Sequence, residues 1–167
     1  GSTLGITEKV YPPFTNLKYK NNSLETVTTS LQFNNLGLYK QVTANGKDLL
    51  AKDCEFVTII NGKKSSLKSL SAKFLTKKNF EGIFEAALKG EGFTLKNNVK
   101  TEYDGCSKFT LSLIPEKNKQ VTLDKFYLDI PLKSNLIKLF HVISAGSIRN
   151  NPAIKVPQGD GIVWKSS

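Results

Sequence analysis

The feature that most constrains the fold of this chain is a run of alternating apolar and polar residues between positions 93 and 103. The large apolar residues Phe93, Leu95, Val99 and Tyr103 share one parity, whereas Thr94, Lys96, Lys100 and Glu102 share the other. A period of two predicts a strand with one buried and one solvated face. Asp104-Gly105 follows, a dipeptide suited to a tight turn because glycine tolerates positive φ. A second alternating run then ends at Pro115, so we predict a β-hairpin.

Similar turn-forming dipeptides recur along the chain. Asn21-Asn22, Asn45-Gly46 and Asn61-Gly62 separate short apolar runs, which lie at residues 17–20, 24–29, 38–43, 48–51 and 54–60. Further predicted strands cover residues 121–131, with Phe126 and Leu128 on one face, and residues 136–143. Short strands at such regular spacing indicate an all-β fold, an antiparallel β-sandwich or an open barrel. Of the two we predict a β-sandwich of the supersandwich or jelly-roll type.

Residues 79–89 allow two interpretations. Asn79 could cap a helix, since the apolar residues that follow lie near helical spacing. The same residues also alternate as in a strand, with Phe84, Ala86 and Leu88 on one face. Gly82 weakens a helix and the flanking segments are β-like, so a strand is favoured over the helix.

The expected organisation is one domain. We interpret Gly1-Ser2 as the remnant of a removed tag, residues 3–16 as an extended lead-in, residues 17–143 as the sandwich, and residues 144–167 as a loop-rich tail with a final short strand, part of the same domain. The chain has no Met and is expected to be a fragment of a longer protein. No apolar run approaches the length of a membrane-spanning helix, so no membrane span is predicted.

The net charge of +10 raises the question of nucleic acid. Arg149 is the only arginine, whereas phosphate recognition favours the planar fork of arginine. The lysines are scattered, as is typical of solvated faces and protected sheet edges. No nucleic-acid partner is therefore expected, and lysine-mediated nucleic-acid binding is retained as a third hypothesis.

No catalytic signature is visible. His141 is the only histidine and lies in an apolar run, which favours a buried structural group over a catalytic one. Asp124 and Asp129 fall on opposite faces of one predicted strand, so they cannot act as a carboxylate pair there. Cys54 and Cys106 are far apart without a CxxC motif, so no metal site and no cofactor is expected. Both are interpreted as small buried apolar groups, with a disulfide as the alternative in an exported protein.

Carbohydrate binding requires an aromatic plane with polar groups around it. The planar side chains considered are those of Tyr39, Tyr103, Tyr127 and Trp164. Trp164 is the strongest candidate, with a core anchor as the alternative interpretation. The candidate ligand-binding residues are Trp164, His141, Arg149 and Asp160.

Several short segments carry a family resemblance. They lie at residues 4–6, 12–14, 35–38, 46–50, 103–105, 128–132, 139–142, 148–152 and 157–164. The chain resembles the amino-terminal β-sandwich domain of large secreted bacterial proteins of the glycoside hydrolase type. The resemblance implies a non-catalytic accessory domain whose partner is a catalytic barrel in the same polypeptide. It also implies a role in support or glycan binding, and a secreted, periplasmic or cell-surface location. A free-standing carbohydrate-binding or adhesin-like module is the alternative.

Overall fold

The computed structural model describes residues 8–118, 120–141 and 153–156. The contacts divide the chain into two compact units, residues 1–131 and 132–167. The predicted boundary between sandwich and tail lies later, after residue 143. Strands account for all the regular structure of the described residues, and no helix long and apolar enough to cross a membrane occurs among them.

The described residues of the first unit form twelve strands. In chain order they are β1 (Lys18–Lys20), β2 (Ser23–Glu25), β3 (Thr29–Phe33), β4 (Tyr39–Ala44), β5 (Lys47–Asp48), β6 (Glu55–Ile60), β7 (Lys63–Ser65), β8 (Lys68–Lys77), β9 (Glu81–Lys89), β10 (Phe93–Glu102), β11 (Ser107–Pro115) and β12 (Lys125–Asp129). They form three antiparallel sheets, with strand orders β1-β2-β3-β4-β5, β11-β10-β9-β8 and β12-β6-β7. In the second unit, β13 (Leu139–His141) pairs antiparallel with β14 (Ala153–Lys155).

The predicted turns are confirmed. Asn21, Asn45 and Asn61 all adopt positive φ, at 51°, 48° and 51°. Gly46 and Gly62 follow with φ of 75° and 72°, so both central residues of these two hairpin turns are left-handed. This is the turn geometry that matches the twist of the flanking strands and selects Asn-Gly.

The hairpin of β10 and β11 is confirmed as well. Leu95 pairs with Leu113, and Val99 pairs with Phe109. Phe93, Leu95 and Val99 are fully buried, as the alternation predicts. Tyr103 lies beyond the end of β10 and is only half-buried.

The strand interpretation of residues 79–89 is correct, and the helix alternative is wrong. Phe84, Ala86 and Leu88 of β9 are buried on one face, while the residues between them lie on the other. Gly82 is required by packing, because an added Cβ would lie 2.7 Å from Cδ1 of Leu24. The residue that weakened a helix here therefore allows β2 to approach β9.

Two clusters of buried side chains join the four-stranded sheet to the other two sheets. The first contains Leu38, Leu50, Cys54 and Phe56 together with Ala86, Leu88, Phe93 and Leu95. The second contains Leu17, Leu24, Leu31 and Phe33 together with Phe84 and Val99. At its centre Phe33 stacks on Phe84, with ring centroids 4.5 Å apart. Burying each such side chain contributes about 1.5–3 kcal/mol. The fold is an all-β sandwich, as predicted.

Several predicted strands are shorter than expected. Residues 24–29 divide into β2 and β3, because Thr26 accepts a hydrogen bond from the Thr29 amide at its Oγ1 (3.2 Å) and closes a turn. Within 121–131 only β12 is a strand, and within the described part of 136–143 only β13 is. Strand β14 was not predicted. The predicted strand at 162–164 lies outside the described residues.

Candidate functional site

Of the four ligand-binding residues predicted from the sequence, three lie outside the residues that the structure describes: Arg149, Asp160 and Trp164. His141 is the last residue of β13, and only its backbone is described. This set of four residues therefore stays a prediction.

The acidic residues considered for catalysis have structural partners. The carboxylate of Asp124 accepts a hydrogen bond from the Gly62 amide at 2.7 Å. Asp129 forms an ion pair with Lys52, at 3.3 Å between Oδ2 and Nζ. Across the described ranges, no group of three or more His, Cys, Asp or Glu side chains is arranged to hold a metal ion.

The two cysteines are free thiols in different environments. Cys54 is buried in the first core cluster, and burial, with smaller contributions from Asp129 and Asp53, raises the pKa of its thiol. Cys106 is exposed, so its interpretation as a buried apolar group is wrong. It directly follows the Asp104-Gly105 turn, where its amide donates to Asp104 Oδ1 at 2.8 Å.

A polar groove of about 910 Å³ crosses one end of the first unit. Four segments form it: the β1–β2 turn, the end of β3 with the turn after it, β4, and the segment that leads into β6. The lining residues are Asn21, Asn22, Ser23, Gln32, Phe33, Asn34, Asn35, Leu36, Lys40, Lys52, Asp53, Cys54 and Glu55. Amide and charged side chains thus dominate its walls.

Asn34 holds two walls of the groove together. Its Oδ1 accepts hydrogen bonds from the amides of Leu36 at 2.9 Å and Leu38 at 3.1 Å. Its Nδ2 donates to the carbonyl of Cys54 at 2.9 Å. The Cys54 amide in turn donates to the carbonyl of Tyr39 at 2.9 Å. The groove is therefore fixed by hydrogen bonds within the protein before any ligand arrives.

The charges that line the groove balance. Lys40 and Lys52 face Asp53 and Glu55, two charges of each sign. Lys52 lies 3.6 Å from Glu55, which also contacts Lys64 at 3.3 Å. Neither Lys40 nor Asp53 has a side-chain hydrogen bond or ion pair within the part of the chain that the structure describes. Two opposite charges in the groove are thus available to a ligand.

Comparison with sequence families matches residues 17–148 to the family described as "Glycoside hydrolase 123, third domain". The chain belongs to this family. The predicted relationship to a glycoside hydrolase is confirmed, and the family description numbers the domain as the third. A search of curated proteins found no match.

A second surface of this glycoside hydrolase 123 domain is apolar. Cross-strand pairing places Leu111 and Leu113 of β11 opposite the buried residues Asn97 and Leu95, so both point inward. Both nevertheless remain about two-fifths exposed, at 41% and 39%.

Strand β12 repeats this arrangement. Phe126 and Leu128 pair with the buried Thr58 and Phe56, yet are 36% and 43% exposed. Leu95 and Phe56 belong to one core cluster. The exposed pair on β11 and the exposed pair on β12 therefore both border that cluster. We call Leu111, Leu113, Phe126 and Leu128 the edge strip.

Of the other planar side chains considered from the sequence, Tyr39 and Tyr103 are half-buried and packed edge-on against Phe109 and Phe14. Tyr127 is half exposed and lies opposite the buried Val57 of β6.

The groove of this domain was not predicted from the sequence, where Asn21-Asn22 was interpreted only as a turn. In a meander, alternate turns lie at the same end of the sheet, since each strand reverses direction. The turn at residues 21–22 and the turn beginning at Asn34 are alternate turns of the first sheet. Asn-Asn in two alternate turns, at 21–22 and 34–35, was the available signal.

Proposed function

We propose that this domain is a non-catalytic accessory module that packs against the catalytic domain of its own polypeptide. The observation that carries the proposal is the edge strip, because its four large apolar side chains point inward but are incompletely covered. Large apolar side chains that stay exposed at a domain surface are a feature of interaction sites. Membership of a domain family from a multidomain glycoside hydrolase supports the choice of occupant.

The two edges of the four-stranded sheet differ, which favours packing on the strip side. Strand β8 has two irregularities in register, between Ser69 and Ser71 and between Phe74 and Thr76, and bulges of this kind blunt an edge. Strand β11 pairs with β10 in unbroken register over nine residues, from Ser107 to Pro115. Its free edge is regular and carries apolar side chains, the form that accepts a neighbouring surface.

The ion pairs support a non-catalytic role. On the outer face of the four-stranded sheet, Glu85 lies 3.6 Å from Lys96, and Glu81 lies 2.8 Å from Lys100. Both carboxylates are thus engaged by neighbouring lysines across the sheet. The same pairing neutralises lysines that nucleic-acid binding would need, so the third hypothesis is not favoured.

The test uses the parent polypeptide that contains this domain and its catalytic domain. We expect the double variant Leu113→Lys/Leu128→Lys to separate one cooperative thermal transition into two, because charged side chains cannot be buried at the interface without a partner. The matched control is Leu70→Lys/Leu75→Lys on β8, where the leucines are 59% and 50% exposed. The control should keep the single transition. Equal behaviour of the two double variants would overturn the proposal.

The polar groove favours a second candidate function, glycan binding, whether as an aid to the catalytic domain or in a free-standing carbohydrate-binding or adhesin-like module. In either role we propose that the parent acts in a secreted, periplasmic or cell-surface setting in bacteria. Fractionation of cells that express the parent polypeptide tests this location, and recovery in the cytoplasm alone would contradict it.

A further inference from the structure

We infer that the polar groove of the first unit is a binding site for an uncharged oligosaccharide. This inference rests on glycan binding as the second candidate function and specifies its site and ligand class. It is independent of the edge strip, which lies on other strands.

The charge of the groove identifies the ligand class. The protein carries a net charge of +10, yet the groove has two positive and two negative side chains. A site for an anion would be expected to concentrate lysines, and the chain has enough of them to do so. Because the charges of the groove's own side chains cancel, the groove adds no attraction for an anion beyond that of the whole protein, and recognition there depends on hydrogen bonds.

The lining groups match the hydroxyl groups of a sugar. Each hydroxyl both donates and accepts, and an amide side chain can do the same. Asn21 and Asn35 are exposed in the groove, Lys40 supplies donors, and Asp53 supplies acceptors. Hydrogen bonds to the two charged groups are stronger than those between neutral groups.

The groove is large enough and is formed in advance. Its volume of about 910 Å³ lies in the range of small-molecule sites, roughly 300–1,000 Å³. The hydrogen bonds of Asn34 fix its walls, so little ordering is needed on binding. Phe33 in its lining is only 4% exposed and offers no face for stacking. We therefore expect weak binding, with a Kd of about 1 mM.

The test is an NMR titration of the isotope-labelled chain with uncharged oligosaccharides of several monosaccharide compositions. Oligosaccharides that carry uronate or sulfate groups are titrated in parallel. We expect the uncharged ligands to shift amide signals at residues 21–23, 32–36, 40 and 52–55. The anionic ligands should bind no more tightly than their uncharged counterparts.

Two double variants locate the site. Asn35→Ala/Lys40→Ala removes a lining amide and a lining ammonium, and Asn79→Ala/Lys47→Ala removes the same groups outside the groove. The first should weaken binding by about tenfold or more, since it deletes several hydrogen bonds, and the second should leave it unchanged. Asp53→Asn keeps the size of the side chain and should weaken binding by a smaller factor.

Three results would overturn the inference: no shift at groove residues with any uncharged ligand at about 10 mM, equal effects of the two double variants, or tighter binding of anionic ligands. The edge-strip double variant should bind glycan normally. Loss of glycan binding with intact domain packing would remove only this inference, whereas loss of packing with intact glycan binding would remove only the accessory-domain proposal.

Discussion

The side-chain amide of Asn97 donates to the carbonyl oxygen of Gly37 at 2.9 Å, and to that of Leu36 at 3.2 Å. Asn97 lies in the middle of β10 and is fully buried, whereas Leu36 and Gly37 belong to the turn between β3 and β4. One polar side chain of the four-stranded sheet thus anchors a turn of the facing sheet. Because Leu36 also lines the polar groove, the same contact supports one wall of it.

Replacing Asn97 should therefore destabilise the whole sandwich. We expect Asn97→Ala to lower the free energy of unfolding by about 2–4 kcal/mol, since it leaves two carbonyls without their donor and opens a cavity. The control is Asn98→Ala, one residue along the same strand on its outer face, which should cost less than about 1 kcal/mol. Urea unfolding of both variants measures the difference, and equal losses would show that the anchor has no special role.

Gly37 contributes to the same contact through its lack of a side chain. Its φ is 71°, and an added Cβ would lie 2.9 Å from both Ala86 Cβ and Asn97 Nδ2. Gly46 has a similar φ of 75° with no atom within 4 Å of the added Cβ. Gly37→Ala should cost about 2–4 kcal/mol and Gly46→Ala about 1 kcal/mol, because only the first adds a collision to the backbone strain. Matching losses in urea unfolding would mean that the turn can move away from β10.

The hydroxyl of Tyr19 predicts a pH dependence of stability at alkaline pH. It lies 2.7 Å from the carbonyl oxygen of Lys78 and 3.0 Å from that of Glu81, so ionisation removes a donor between two acceptors. Burial and the negative charge of Glu81 raise the pKa of Tyr19 to about 12.

Between pH 10 and 12, roughly, the unfolded chain has lost a proton that the folded chain keeps, so the free energy of unfolding falls as pH rises. Tyr19→Phe should make that decline shallower, and it should remove a late step from the ultraviolet titration of the phenols. An unchanged slope of stability against pH would contradict this prediction.

The two thiols should differ in reactivity. A thiol-specific reagent should modify Cys106 in the folded protein, because its side chain is exposed. Cys54 should react only after unfolding, since it is buried in the core and its thiol has a raised pKa, which lowers its thiolate fraction. Mass spectrometry of the native and denatured protein provides the measurement. Cys106→Ser should abolish labelling of the native protein, and Cys54→Ala should retain it. The reverse pattern would show that Cys54, and not Cys106, is the accessible thiol.

Prediction from sequence succeeded for strands that run without a bulge. The strands β9 and β10 are regular, so every second residue is buried, from Phe84 to Leu88 and from Phe93 to Val99. Strand β8 was not predicted, although it is ten residues long. Its two shifts of register change which parity faces the core, so no single alternation runs through it.

The full groove does not follow from local pattern, because its walls come from separate segments and the repeated Asn-Asn turns mark only two of them. The hydrogen bond from the side chain of Asn34 to the Cys54 carbonyl spans twenty residues, and that from Asn97 to the Gly37 carbonyl spans sixty. Pairings over such distances depend on how sheets pack, which periodicity does not specify. Asparagines such as Asn35 carry the same turn signal whether or not they later line a site.

The strand order of the third sheet has a consequence for the sequence of folding events. Nearly every pairing in the first unit joins strands that are neighbours in the chain, whereas β12 pairs with β6, and Lys125 lies opposite Ile59. Closing a loop of this length is entropically costly and therefore slow. During synthesis, β6 leaves the ribosome well before β12, so one edge of β6 lacks its partner until the end of the unit has been made. The pairing of Leu128 with Phe56 is accordingly expected to be among the last contacts to form, after the hairpins on either side have already folded.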